Sequence, residues 1–314
     1  MDGRSNDDVV EVEIPSTLAG VRVDRAVAML ADVSRARAAE LIAAGSVTVE
    51  GRVVSGGRTV LREGTKLRVL LPPVASTAPA PDPGVAFTVV YEDTDVVVVD
   101  KPAGLVVHPG AGHASGTLVS GLLARFPDIE ALVTAGVCPP ERPGIVHRLD
   151  KGTSGLLAVA RTPRAYASLA AQLAQRSMTR HYLALVEGTV PDNAGEVDAP
   201  IGRSVRTPTK MTVAAGGRSA VTGYRVLERF FQPRPTTLVE LRLQSGRTHQ
   251  IRVHMAAIGH PVVGDARYGR ADRRLGSGRF FLHAAYLSFV HPVRGERVEF
   301  SSPLPEDLRA LLEA

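Results

Sequence analysis

The chain has 314 residues, 44% of them hydrophobic, with 37 Lys and Arg against 32 Asp and Glu. That length allows two domains and a sizeable core. No apolar run approaches 18 residues, which argues against a membrane-spanning helix, and the single cysteine, Cys138, cannot form an intrachain disulfide. The N-terminus opens on acids (Asp2, Asp7, Asp8, Glu11, Glu13) without the basic start and apolar stretch of a secretory signal, so a cytoplasmic protein is expected.

Residues 1–13 are expected to be a disordered acidic leader. Residues 14–71 carry a compact pattern. Val23–Leu30 and Ser34–Ala44 read as helices, the second with Ser34 as N-cap and Gly45 as its stop. Val47–Val49, Arg52–Val54 and Lys66–Leu70 read as strands parted by glycine turns. The pattern allows Arg35, Arg37 and Arg52 to share one face and meet phosphates. Residues 72–84, PPVASTAPAPDPG, contain five prolines and few large apolar side chains, and read as a stiff linker.

Residues 85–314 form the larger domain. Strand-like runs occur at Phe87–Tyr91, Val96–Val99, Leu156–Ala160, Tyr182–Val186, Leu238–Leu243 and Tyr286–Val290, with helical stretches at Thr117–Arg125, Arg164–Gln175 and Thr248–Ile258. There is no regular βαβ alternation and no internal repeat, so the fold class is α+β with a largely antiparallel, mixed sheet. The formal net charge is +5, and residues 201–279 hold fifteen Arg or Lys against four acids, Glu228, Glu240, Asp265 and Asp272. Nucleic-acid phosphate would neutralise such an excess.

The stretch Pro143–Leu157, PGIVHRLDKGTSGLL, sets one acid, Asp150, among basic and hydroxyl side chains on a glycine-rich loop before an apolar strand. On spacing alone, a carboxylate between Arg148 and Lys151 also fits a plain loop ion pair. His147, His249 and His254 invite a metal reading. The last two are five apart, which does not put them on one helix face, and no acid stands at ligand spacing, so no metal is expected. Gly110, Gly112 and Gly116 mimic a dinucleotide loop with one residue too many, so no nucleotide cofactor is expected.

Taken together, KPAGLVVHP (101–109), the Asp150 stretch, RHYLALVEG (180–188), QSGRTHQIRVHM (244–255) and GHPVVGDARYG (259–269) follow one order. In that order the chain resembles the RluA-type pseudouridine synthases over roughly residues 85–302. Residues 22–25 (RVDR), 34–37 (SRAR) and 45–51 (GSVTVEG) resemble an S4-type RNA-binding domain. The resemblance implies a bent central sheet with a cleft across it and isomerisation of uridine to pseudouridine in large-subunit (23S) ribosomal RNA. It further implies Asp150 as the catalytic aspartate, Arg247 as the basic residue paired with it, and Tyr182 stacked on the base. Arg148 would fill the space left by the flipped uridine. Arg180 stands where Lys is commoner in that family, and Ser120 where Asn is common. A monomer without cofactor is expected.

The chemistry is compatible with one acid. Glycosidic cleavage with water usually takes two carboxylates, but here the detached base re-adds and no water is activated. A single carboxylate near C1′ serves by attacking C1′, by stabilising positive charge there, or by removing the C2′ proton, and the residues do not choose among these. A cation nearby keeps such an acid ionised in a closed cleft.

Overall fold

The computed structural model describes residues 8–31, 33, 35–71, 78–110, 115–204, 207, 210–269 and 278–313. The chain divides into two compact units, Met1–Thr77 and Ala78–Ala314.

The first unit contains β1 (Asp8–Glu13), α1 (Val23–Leu30), α2 (Arg35–Ala43), β2 (Val47–Val49), β3 (Arg52–Val53) and β4 (Lys66–Leu71). Its strands form an antiparallel sheet in the order β1-β4-β2-β3. Leu67 and Val69 of β4 alternate inward between exposed Lys66 and Arg68, and pack with Val23 and Val27 of α1 and Leu41 of α2. Gly45, at φ +75°, ends α2 as expected, while its expected N-cap, Ser34, lies outside the described residues. The expected leader is corrected here. Asp8–Glu13 is a strand on β4 because Val10 and Val12 alternate with acids and pack against this core. Residues 1–7 lie outside the described residues.

The second unit begins with β5 (Thr88–Glu92), β6 (Val96–Lys101), α3 (Leu118–Arg125), α4 (Ala131–Thr134), β7 (Ser154–Ala160), α5 (Pro163–Ala174) and β8 (Thr179–Glu187). It continues with β9 (Ala194–Asp198), β10 (Ile201–Arg203), β11 (Met211–Val213), β12 (Val221–Phe230) and β13 (Thr236–Leu243). It ends with α6 (Gln250–Ala257), β14 (Leu282–Val290), β15 (Arg297–Ser301) and α7 (Glu306–Glu313). A nine-stranded sheet runs β5-β6-β7-β14-β8-β13-β12-β9, with β15 on the far part of β14. Among its pairings β7–β14 is parallel and the others are antiparallel, so the α+β, mixed-sheet expectation holds. Val96–Val99 and all of β7 are buried, as strands covered on both faces must be.

Two details fix the middle of this sheet. Gln172 of α5 locks onto β14, its Nε2 donating to Val290 O (2.8 Å) and its Oε1 accepting from Val290 N (2.7 Å). The expected linker, 72–84, is shorter than its composition suggests. Pro79 is buried and Asp82 N donates to Ser120 O (2.8 Å), so residues 78–84 belong to the second unit, while residues 72–77 and the glycine-rich loop at 111–114 lie outside the described residues.

The parallel pairing depends on a glycine. Gly155 faces Ala284 at φ +110°, and a Cβ there would sit 2.3 Å from Ala284 O. Gly155→Ala is expected to cost about 3 kcal/mol through strain and forced separation of β7 from β14, read as a lower urea midpoint.

Candidate active site

Asp150 lies on the loop that enters β7, where Thr153 N donates to its carbonyl (3.0 Å). Its carboxylate is half-buried in a cleft of about 470 Å³ lined by His147, Arg148, Arg180, Tyr182, Arg247 and Arg252. A second hollow, bordered by Val106, Lys151, Arg267 and Phe280, shares Arg148, Asp150, His249 and Arg252 with the first. Asp150 therefore stands where two hollows meet.

The cation that holds Asp150 is Arg252, whose Nη1 donates to Asp150 Oδ2 at 3.1 Å. Arg252 is itself gripped from behind. Its Nε and Nη2 donate to Asp265 Oδ2 (2.6 Å) and Oδ1 (2.8 Å), and its guanidinium carbon lies 4.2 Å from the Phe280 ring centroid. Asp265 is 1% exposed. Burial would raise its pKa, but the two Arg252 hydrogen bonds and the amides of Arg267 and Tyr268 hold it below the ordinary carboxylate value. Asp150 lines the cleft, and its Oδ1 has no hydrogen-bond partner among the described residues.

This corrects the expected pairing of Arg247 with Asp150. Arg247 lines the cleft, but its Nε donates to Ser219 O (3.0 Å), and burial together with Arg218 and Arg176 lowers its pKa. The local backbone decides between the two arginines. His249 sits at φ 57°, ψ 23° just before α6, a left-handed residue that turns the chain, so Arg247 precedes the helix and Arg252 leaves its first turn.

The other expected residues divide. Tyr182, in β8, is buried, and its hydroxyl makes no hydrogen bond to a described residue. Its pKa is raised by burial, with Asp150 adding to the shift and Arg180 opposing it. Arg148 is exposed at the cleft and pairs with no described residue, so the plain loop ion pair is not formed. In the first unit Arg35 on α2 and Arg52 on β3 are exposed, and Arg37 Nη1 donates to Glu40 Oε2 (3.1 Å). The histidines have other occupations. His254 contacts Thr222 Oγ1 and Ala199 O (both 2.9 Å), and His147 Nε2 accepts from Ala158 N (3.1 Å). His249 Nδ1 lies 2.8 Å from Tyr268 Oη, with Nε2 3.9 Å from Asp150 Oδ2.

Comparison with known proteins shows the family. The RNA pseudouridylate synthase family model matches residues 95–257. Ribosomal large subunit pseudouridine synthase D of Xanthomonas campestris is 45% identical over 314 residues, covering 96% of this chain and 91% of that protein. The chain belongs to the RNA pseudouridine synthase family, in its RluA-type branch. The Bacillus subtilis protein named uncharacterized RNA pseudouridine synthase YlyB is 44% identical, covering 90% and 89%. A solved structure, human RNA Pseudouridylate Synthase Domain Containing 1, matches with a TM-score of 0.57 at 31% identity, covering 74% of this chain and 89% of that one.

Sequence reasoning about this pseudouridine synthase missed Arg252, Asp265 and Lys101. The signal for Asp265 was present, since it is one of four acids in the basic stretch 201–279. Lys101 is 0% exposed at the end of β6, and its Nζ donates to Pro102 O (2.8 Å), Leu105 O (2.8 Å) and Lys151 O (3.4 Å). Those three carbonyls bind the loop after β6 to the residue following Asp150. Burial lowers its pKa from 10.5 to about 7, against the pull of Asp150 and Asp100.

That shift predicts a pH dependence. Between about pH 7 and 10.5 the unfolded chain holds a proton that folded Lys101 has released, so this group makes stability rise with pH across that window. Below pH 7 both states are charged and its slope vanishes. Urea midpoints of wild type minus those of Lys101→Met are expected to climb from pH 7 to pH 10, and a flat difference would contradict the assignment.

Proposed function

We propose that this synthase converts specific uridines of large-subunit ribosomal RNA to pseudouridine with Asp150 as its catalytic carboxylate. The observation that carries the reading is Asp150 in the lining of the cleft, with Arg252 on Oδ2 and no described residue on Oδ1. A carboxylate fixed at one oxygen by a charged hydrogen bond presents the other to a sugar without rearranging. Tyr182, buried and with its hydroxyl bonded to no described residue, supplies the surface on which the extruded base stacks. Arg148, exposed at the mouth and paired with no described residue, takes the place that the base vacates, offsetting an unstacking cost of roughly a few kcal/mol. Arg247, released from the role of pairing with Asp150, faces the RNA backbone.

The reaction breaks C1′–N1, turns the base and joins C1′ to C5, with one proton lost from C5 and one gained at N1. Nothing is oxidised or reduced and no water enters, so the chemistry calls for no cofactor and no metal. The ribosomal target is supported by the synthase D relatives at 40–45% identity. The first unit, two helices with a four-stranded sheet, is read as an S4-like RNA-binding domain in which Arg35, Arg37 and Arg52 meet phosphates. We read the protein as a cytoplasmic monomer.

A non-catalytic RNA-binding role for the same scaffold is the competing reading, and one substitution separates them. Asp150→Ala is expected to abolish pseudouridine formation on large-subunit ribosomal RNA, a loss of at least ~10⁴-fold, while RNA affinity changes less than about threefold. Conversion by the variant at the wild-type rate would remove Asp150 from the chemistry. Absence of pseudouridine with wild type would favour the scaffold reading.

A further inference from the structure

Arg180 carries a charge that no described residue answers. It is 7% exposed, its Nε is buried without a hydrogen-bond partner, and no described residue makes a hydrogen bond or ion pair with the rest of its guanidinium. The comparably buried Arg252 is paired on both sides. Leaving a guanidinium unpaired at this depth is costly, and burial lowers its pKa, yet an arginine remains protonated. Unpaired buried polar groups are rare enough that each calls for a reason.

Position supplies the reason. Arg180 and Tyr182 are two residues apart on β8, so their side chains leave the same face, about 7 Å apart along the strand. Both line the cleft with Asp150. The Tyr182 hydroxyl feels Asp150 and Arg180 in opposite directions, so the ring lies within electrostatic reach of both. Gly246 leaves room beside the guanidinium, since a Cβ there would stand 3.2 Å from Arg180 Nη1. His147, the other neighbour, offers no negative charge. Its pKa is driven down to about 3 by burial first and by Arg180 second, so it stays neutral. The cleft thus has an acid and an unpaired cation within reach of one aromatic ring.

We propose that Arg180 binds the uracil ring and takes up the negative charge that develops on it as C1′–N1 breaks. Heterolysis leaves the bonding pair on N1, shared with O2 and O4, while the electron deficit sits at C1′ beside Asp150. When C5 joins C1′ the ring gives that pair back. Loss of the C5 proton and protonation of N1 then complete the isomer, so Arg180 moves no proton. Its hydrogen bonds to a uracil oxygen strengthen as the charge grows, which selects the transition state over the bound substrate. A backbone phosphate is the poorer occupant. It keeps its charge throughout and matches the exposed Arg142, Arg148 and Arg176 around the cleft better than a guanidinium on its floor.

The inference rests on the reading of this cleft as a pseudouridine-forming site, and the test separates the two. Full-length wild type, Arg180→Met and Arg180→Lys would be compared by Tm, by Kd for large-subunit ribosomal RNA, and by single-turnover consumption of uridine or of 5-fluorouridine in that RNA. Fluorine makes the departing base a weaker base that needs less help. Arg180→Met is expected to raise Tm, to leave Kd within about threefold, and to slow uridine conversion by roughly 100-fold or more. The same variant should slow 5-fluorouridine consumption by less than about tenfold, and Arg180→Lys should recover uridine conversion to within about tenfold of wild type. A lowered Tm would make Arg180 structural, and an affinity loss matching the rate loss would make it a phosphate contact. Equal slowing of the two bases would place the charge elsewhere, and each of these results overturns the proposal. A wild-type protein that converts no uridine overturns the functional reading itself, whereas a fully active Arg180→Met overturns this inference alone.

Discussion

The line Asp265–Arg252–Asp150 is the constraint from which the site follows. Arg252 spends two of its donors on Asp265 and its flat face on Phe280, so a single nitrogen remains to meet Asp150. A guanidinium held this way has no rotamer freedom left to lose, and it transmits its position to the carboxylate. Two acids share one arginine here, leaving one negative charge among the three groups. The carboxylate is thereby kept in a pocket whose surroundings are otherwise strongly basic.

The distribution of satisfied and unsatisfied groups separates scaffold from site. Gln172 completes both polar groups of Val290, and His254 is fully occupied between Thr222 and Ala199. Toward the cleft the pattern reverses. Asp150 Oδ1, the Tyr182 hydroxyl, Arg148 and Arg180 have no partner among the described residues. Folding gains nothing from these groups, and for Arg180 it incurs a penalty, which is the usual signature of side chains reserved for a ligand.

Much of the architecture is legible in the residues, and the misreadings have physical causes. Val96–Val99 and Leu156–Ala160 are unbroken apolar runs because both faces of those strands are covered. By contrast, β12 escapes a period-two reading because a bulge between Val226 and Glu228 switches its faces and only Val221 and Thr222 are buried. Acids hid β1, and prolines overstated the linker, since composition does not register what a neighbouring core will accept. Asp150 and Tyr182 were visible as motif members and do lie together. The assignment of Arg247 failed because the choice between two arginines five residues apart turns on one left-handed residue, His249, and on an acid thirteen residues further along.

The place of β14 in the sheet has a consequence for how the site is joined. It is among the last strands in chain order, yet it lies between β7 and β8 and brings Ala284 opposite both Gly155 and Tyr182. Within the sheet β7 and β8 meet only through β14, which divides the strands into a β5-β6-β7 set that the Asp150 loop enters and a β8-β13-β12-β9 set that holds Tyr182. Residues 282–290 are therefore what joins the strand that follows Asp150 to the strand that holds Tyr182.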